Sequence, residues 1–126
     1  MAFTDNAIVI TPVPNEGDWL WKSLYIADLS GAEDAIAAVS GKCIYVQRIL
    51  TCGGSVTDLT VTYGAAQGTG VTTIYIGPIA FPDAGGVVDI DFGPDQCMKV
   101  AAGTAFSADA SGAGVITVLI KYKIAT

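Results

Sequence analysis

The sequence predicts an all-β domain: a jelly-roll-like two-sheet β-sandwich of about eight strands, with one short helix and an extended N-terminal arm. Period-two segments rich in Val, Ile, Thr and Tyr recur along the chain, and turns containing Gly, Asp or Pro separate them. A chain of 126 residues is long enough to bury one core and needs no internal linker. We therefore assign residues 1–18 to the arm and residues 19–126 to a single β-sandwich domain.

Strand positions follow from the alternation of apolar and polar residues. Turn chemistry separates the segments, as in "CGGS" at 52–55, "PDAGG" at 82–86 and "FGPDQ" at 92–96. The predicted strands are residues 7–11, 19–27, 42–52, 56–63, 71–79, 87–92, 104–110 and 115–124.

The last predicted strand, 115–124, has the clearest pattern. Its even positions are all apolar, which predicts one face directed into the core. The odd positions begin apolar and end with Lys121 and Lys123, so we expect the second face to be covered at the start of the strand and solvent-exposed at its end. The run has half the length of a membrane-spanning helix and carries two lysines, which argues against a membrane span.

One segment departs from the strand pattern. In "LSGAEDAIAAVSGK", residues 29–42, Ser30 and Glu33 have the spacing of a capping box before an Ala-rich run. Gly41 has the position of a C-terminal helix cap. The sequence therefore predicts a short helix here, which would bury Ile36 and Val39.

The N-terminal arm contains "TPVPNEGDW". Two prolines fix extended φ angles and remove hydrogen-bond donors, which is typical of a stiff, polyproline-like segment. Two interpretations stay open: an arm that lies on a neighbouring molecule, and a simple surface loop. The candidate partner-binding residues of the arm are Phe3, Ile8, Val9, Ile10, Pro12 and Pro14.

The segment "WLWKSLY" places aromatic residues on one face of a predicted strand. Leu20, Leu24 and Ile26 share the opposite face, which looks like a core face. We call Trp19, Trp21 and Tyr25 the aromatic stripe. Rigid aromatic side chains favour contact with a sugar or another protein. The alternative is that the helix or the arm folds over the stripe.

Composition excludes several classes of function. The net charge is −6 and the six basic residues are scattered, which argues against nucleic-acid binding. The absence of histidine excludes Ser-His-Asp and Cys-His catalysis, and no cofactor is expected. The chain starts without the features of a signal peptide, which predicts synthesis in a reducing cytoplasm. Buried free thiols are then favoured over a disulfide among Cys43, Cys52 and Cys97.

Three carboxylates are the weak candidates for a metal site. Asp89 and Asp91 alternate with apolar residues and project from one strand face, and Asp95 follows them. The run lacks the acidic spacing of an EF-hand loop, and two acids side by side on one strand do not face each other across a substrate. A solvated face is favoured, a calcium site is the alternative, and catalysis is the least supported.

Three stretches carry a resemblance to a known group. They are "DAIAAVSGKCIYVQRILTCGG", "VTDLTVTYG" and "CMKVAAGTAFSADASGAGVITVLIKYKI". Together they resemble small β-sandwich virion proteins of tailed bacteriophages, which comprise capsid decoration (cement) proteins and related head or tail surface proteins. The similarity covers roughly residues 26–124, and the N-terminal "PVPNEGDWLW" lies outside it. The matching positions are Ala38, Val39, Gly41, Lys42, Ile44, Val46, Gly112, Gly114 and Tyr122.

The resemblance implies a non-enzymatic virion structural protein. In this interpretation the chain is made in the host cytoplasm, forms a homo-oligomer, expected to be a trimer, and binds the major capsid protein on the capsid exterior. The matching positions have structural roles, so no binding residue is implied by them. The alternative is a receptor- or carbohydrate-binding module of a head fibre or tail that uses the aromatic stripe.

Overall fold

A computed structural model describes residues 6–26, 33–54, 59–67, 70–81, 85–111 and 115–126. Within these ranges all regular structure is strand, and there is no helix long and apolar enough to cross a membrane. The ten strands are β1 (Ile10–Pro12), β2 (Leu20–Ile26), β3 (Glu33–Ile36), β4 (Cys43–Gly54), β5 (Leu59–Gln67), β6 (Gly70–Phe81), β7 (Gly86–Asp91), β8 (Gln96–Val100), β9 (Phe106–Ala110) and β10 (Val115–Ala125).

The strands form two antiparallel sheets. Sheet A has the order β1-β8-β4-β10-β2, with β7 also paired to β4, and sheet B has the order β3-β9-β5-β6. Buried residues from both sheets form one continuous hydrophobic core. The predicted all-β, two-sheet sandwich is therefore confirmed, with two more strands than expected, because β3 and β8 were not predicted.

The core contains a stacked aromatic pair of sheet B, and a hydrogen bond links this pair to sheet A. Tyr63 of β5 stacks on Phe106 of β9 with 5.7 Å between ring centroids, and both side chains are fully buried. The Tyr63 hydroxyl hydrogen-bonds the Thr51 hydroxyl of β4, which links sheet B to sheet A. Burial raises the pKa of Tyr63 to about 12, so this phenol stays neutral at physiological pH.

Strand β10 lies between β4 and the edge strand β2 in sheet A. Ile116, Val118 and Ile120 are buried, as the even-position pattern predicts. The prediction for its odd face is wrong: Val115 and Thr117 are exposed, whereas Lys123 is buried. The reason is that the arm covers the end of β10, as described below.

The alternation of buried residues along β4 shifts by one residue at Gln47. Before this residue Ile44 and Val46 are buried against sheet B, and after it Ile49 and Thr51 are. Across from Gln47 the chain leaves the sheet between β7 and β8. The Gln47 side-chain amide donates to the backbone carbonyl of Gly93 at 2.7 Å, and the backbone carbonyl of Gln47 accepts from the backbone amide of Phe92 at 3.0 Å. Gln47 thus acts as a β-bulge residue that bridges the interruption.

The predicted helix over 29–42 is not present in the residues that the structure describes. Instead, β3 covers Glu33–Ile36 and pairs with β9, and the Ser107 hydroxyl donates to the Asp34 carboxylate at 2.8 Å. Ile36 is buried as predicted, but Val39 is exposed. Gly41 does have a positive φ, of 72°, within a turn that leads into β4. Pairing with β9 has overridden the local helix propensity of an Ala-rich run. Residues 27–32, including Ser30, lie outside the described ranges.

Candidate binding surfaces

The described part of the arm, residues 6–18, follows the chain's own sandwich. The amide of Ala7 donates to the carbonyl of Ile74 in β6 at 2.8 Å. The amide of Lys99 in β8 donates to the carbonyl of Val9 at 2.8 Å, and β1 then pairs with β8. The arm therefore crosses from the β6 edge of sheet B to the β8 edge of sheet A, where it adds an edge strand.

The second half of the arm crosses the outer face of sheet A. Val13 packs on a small cluster of buried side chains on this face. The ammonium of Lys123 in β10 donates to the carbonyl of Pro14 at 3.1 Å, which accounts for the burial of this lysine. The cluster beneath Val13 consists of Cys43, Tyr45, Cys97 and Ala125.

Glu16 anchors the end of the arm. Its carboxylate forms an ion pair with the Lys42 ammonium at 2.8 Å and accepts hydrogen bonds from the backbone amide and the hydroxyl of Thr126. The Lys42 contact, followed by those from Thr126, lowers the pKa of Glu16 to about 2. Gly17 has a φ of 82°, and a Cβ there would lie 2.7 Å from the carbonyl oxygen of Ile124. Only glycine fits this close crossing without strain.

The arm exposes apolar side chains on its outer side. Ile8, Val9 and Ile10 are all exposed, and we call these three residues the arm surface. Of the other arm candidates, Pro12 is exposed and Pro14 is half-buried, while Phe3 lies outside the described residues. A mainly apolar cleft of 520 Å³ adjoins the arm surface, between Val9 of the arm, β6 and the end of β8.

The aromatic stripe lies at the other edge of sheet A. Trp21 and Tyr25 in β2 are 53% and 70% exposed on the outer face of the sheet. Trp19 precedes β2 and is half-buried. The described part of the arm, residues 6–18, therefore does not cover Trp21 and Tyr25, the two residues of the stripe that the strand itself carries.

Lysines of β10 contact the tryptophans of the stripe. The Lys121 ammonium lies 4.9 Å from the ring centroid of Trp19 and 5.7 Å from that of Trp21. The Lys123 ammonium lies 4.8 Å from the ring centroid of Trp19. These are cation–π distances. No local sequence pattern connects these residues, because only the pairing of Lys121 with Trp21 across β10 and β2 brings them together.

A charged side chain of β2, Lys22, disfavours further strand pairing at the free edge of this strand. Within the described ranges β2 pairs with β10 alone, so its other edge is open. Lys22 lies opposite Ile120, and strand alternation directs it to the same side as Leu24, which packs on the core. An inward-directed charge on an edge strand disfavours continuation of the sheet through a second strand. Contacts through the stripe would therefore use its side chains rather than its backbone.

The acidic candidates are held by local contacts. Arg48 in β4 donates twice to Asp89 in β7, at 2.9 and 2.7 Å, and this bidentate contact lowers the pKa of the Asp89 carboxyl. Asp91 accepts from the backbone amide of Gly93 at 2.8 Å, and Asp95 is exposed beyond the turn. Within the described ranges no three cysteine or acidic side chains come together as a metal-binding group.

We expect removal of divalent cations to leave the melting temperature unchanged. A calcium site at a hundredfold excess of calcium over its dissociation constant would contribute about 2.7 kcal/mol. Differential scanning fluorimetry with a chelator and with added calcium measures the difference. A loss of several degrees in chelator would contradict the solvated-face interpretation of Asp89, Asp91 and Asp95.

The three cysteines lie apart. Cys43 and Cys97 are buried free thiols, and Cys52 is an exposed one on the outer face of β4. The register places Cys97 near Gln47, four residues along β4 from Cys43, which is a separation of about 13 Å. A disulfide needs Cα atoms less than about 7 Å apart, so these two buried thiols cannot pair in this fold.

The chain has no match among protein-family models and none among curated proteins. Its function is therefore inferred from the two exposed groups, which lie at opposite edges of sheet A. The order of the strands separates β1 from β2 by four strand spacings, or about 19 Å.

Proposed function

We propose that this chain is a non-enzymatic virion structural protein, a capsid decoration (cement) protein of a tailed bacteriophage. It would be made in the host cytoplasm and bind the major capsid protein on the capsid exterior as a homo-oligomer, with a trimer as the expected state. The observation that carries the proposal is the presence of two exposed apolar groups at opposite edges of one sheet. A protein that bridges two neighbours needs two such contact surfaces.

The proposed mechanism is associative. The arm surface would dock on one capsid subunit, and the opposite edge of sheet A would contact a neighbour or another copy of the chain. Burial of apolar area contributes about 25 cal/mol per Å², so each contact is modest and many symmetric copies add up. The net charge of −6 also fits an outward-facing protein that does not adhere to packaged DNA.

Deletion of residues 1–14 tests the arm. The main hydrophobic core contains no residue of this segment, so the truncated chain is expected to fold. It should be less stable than the full chain, because Val13 no longer covers its cluster and Lys123 loses the Pro14 carbonyl. Binding to expanded capsids or trimer formation should weaken strongly. Circular dichroism and sedimentation with capsids measure the two effects.

Point variants separate attachment from stability. Replacing Ile8, Val9 and Ile10 by serine changes exposed side chains only, so the free energy of unfolding should change by about 1 kcal/mol or less. Val87→Ser is the control, because Val87 is also an exposed apolar residue, at 67%, and lies away from the arm and the stripe. Full capsid affinity in the triple serine variant would show that attachment lies elsewhere.

A second candidate function is a receptor- or carbohydrate-binding module. The exposure of Trp21 and Tyr25 favours it, since solvent-facing aromatic rings on a rigid strand offer a flat stacking surface. Loss of ligand binding in Trp21→Ala, with capsid binding intact, would distinguish this function from decoration.

A further inference from the structure

We infer that the β2 edge of sheet A binds an acidic saccharide, with Trp21 and Tyr25 as the stacking rings and Lys121 as the group that recognises the anion. The inference rests on the second candidate function, carbohydrate binding, and names its ligand class. It does not depend on whether the chain decorates a capsid.

The rings and the residues between them form an open trough. Trp21 and Tyr25 project from the same face and are four residues apart, which separates them by about 13 Å along the strand. Ser23 lies between them and is exposed, and Thr117 lies beside Tyr25 on β10 and is also exposed. No large side chain of β2 therefore stands between the two rings. A chain of several sugar rings can lie along the strand and stack at both ends. The Ser23 hydroxyl and the half-buried Leu119 of β10 lie beneath its middle, and the Thr117 hydroxyl lies at the Tyr25 end.

Lys121 gives this trough a positive charge at the Trp21 end. Its register partner on one side is Trp21, and its partner on the other side is Arg48. The Arg48 guanidinium is already bound by Asp89 in two hydrogen bonds. The neighbouring Lys123 is buried and donates to the Pro14 carbonyl. Lys121 is thus the cation of this group that remains partly exposed, with no hydrogen bond or ion pair to an acidic side chain in the described residues.

The charge distinguishes the ligand class. A neutral sugar would gain only from stacking, whereas a carboxylate or sulfate on the ring over Trp21 would also reach the Lys121 ammonium, and charge-assisted hydrogen bonds are about twice as strong as neutral ones. A single available lysine beside the trough, on a chain of net charge −6, does not suit nucleic acid, which needs several cations along its backbone. The trough is therefore complementary to a saccharide chain that carries a few anionic groups.

Titration of the full-length chain with defined tetrasaccharides tests the inference. The probes are an oligogalacturonate, a sulfated heparin-derived fragment and a neutral cello-oligosaccharide, followed by tryptophan fluorescence and calorimetry at low and high salt. At low salt at least one acidic probe should bind about tenfold or more tightly than the neutral one. Comparison of the carboxylated and sulfated probes identifies which anion is preferred. High salt should reduce this difference.

Four variants assign the roles. Trp21→Ala and Tyr25→Ala should weaken the binding of every probe that binds. Lys121→Gln should bring the affinity for the acidic probe down to that for the neutral one, while Lys121→Arg should retain the preference. Lys99→Gln is the matched control, because Lys99 lies in β8, near the opposite edge of sheet A, and its removal should change nothing.

Each contrary result has a distinct meaning. Equal binding of neutral and acidic probes, or an acidic preference that survives in Lys121→Gln, would overturn the assignment of Lys121 and leave carbohydrate binding standing. Failure of the folded chain to bind any probe would overturn both the assignment of Lys121 and carbohydrate binding itself. Dissociation of a homodimer by Trp21→Ala, seen in sedimentation, would show that a second copy occupies the trough and would also overturn the inference.

Discussion

Replacing Val118 by aspartate is expected to unfold the domain. Val118 is 1% exposed and lies in β10, between Leu24 of β2 and Thr51 of β4, on the face that packs against sheet B. A buried carboxylate without a partner costs several kcal/mol, and the whole stability of a domain is roughly 5–15 kcal/mol. Far-UV and near-UV circular dichroism of the purified variant should show loss of the native fold.

Thr117→Asp is the control for that experiment. Thr117 is the preceding residue of the same strand, and it is exposed on the outer face of sheet A. The same carboxylate can stay in water there, so we expect a loss of about 1 kcal/mol or less in urea denaturation. A folded Val118→Asp protein with nearly unchanged stability would mean that the even face of β10 is not the core face.

Phe106→Ala is expected to lower the free energy of unfolding by about 3–5 kcal/mol. Phe106 is fully buried in β9 and stacks on Tyr63, so its removal leaves a cavity beside the aromatic pair at the centre of the core. The contact also supports the Tyr63 hydroxyl in its hydrogen bond to Thr51 of the other sheet. Urea denaturation followed by tryptophan fluorescence measures the loss.

Phe106→Leu gives the graded comparison. Leucine fills much of the space but cannot stack on Tyr63. The free energy of unfolding of this variant should therefore lie between that of the parent chain and that of the alanine variant. If Phe106→Ala lowers the free energy of unfolding by less than about 1 kcal/mol, the core does not depend on this aromatic pair.

Local alternation was enough to predict the strands that matter most for the fold. The even positions of β10 identify its buried face without any knowledge of its partners, because period two alone separates the faces. The outer face could not be predicted in the same way. Lys123 is buried since a segment more than a hundred residues earlier in the chain crosses over it, and a local pattern carries no information about such a contact.

The errors at β3 and β8 have a related cause. An Ala-rich run with a suitable cap favours a helix locally, but β9 offers a partner that only the tertiary fold reveals. Gln96–Val100 was missed because β7 and β8 are two parts of one edge along β4, interrupted opposite Gln47. The position of a β-bulge depends on the partner strand, so neither segment predicts it alone.

The candidate site, too, could be predicted from the sequence only in part. Alternation within "WLWKSLY" predicts that Trp21 and Tyr25 share a face, and the structure places both on the outer face of sheet A. Whether the arm or a helix covers them depends on packing, and the sequence left both outcomes open. The position of Lys121 beside Trp21 follows only from the β10–β2 register.

The position of β10 between β2 and β4 determines when sheet A can be completed. Its neighbours β2 and β4 are both synthesised earlier, and β5 to β9 lie between β4 and β10 in the chain. As the nascent chain leaves the ribosome, β2 and β4 each present an unpaired edge on the side where β10 belongs. Exposed strand edges promote aggregation, and non-local pairing is slow. The exposure of these two edges during biosynthesis therefore ends with one late event, the insertion of β10 between β2 and β4.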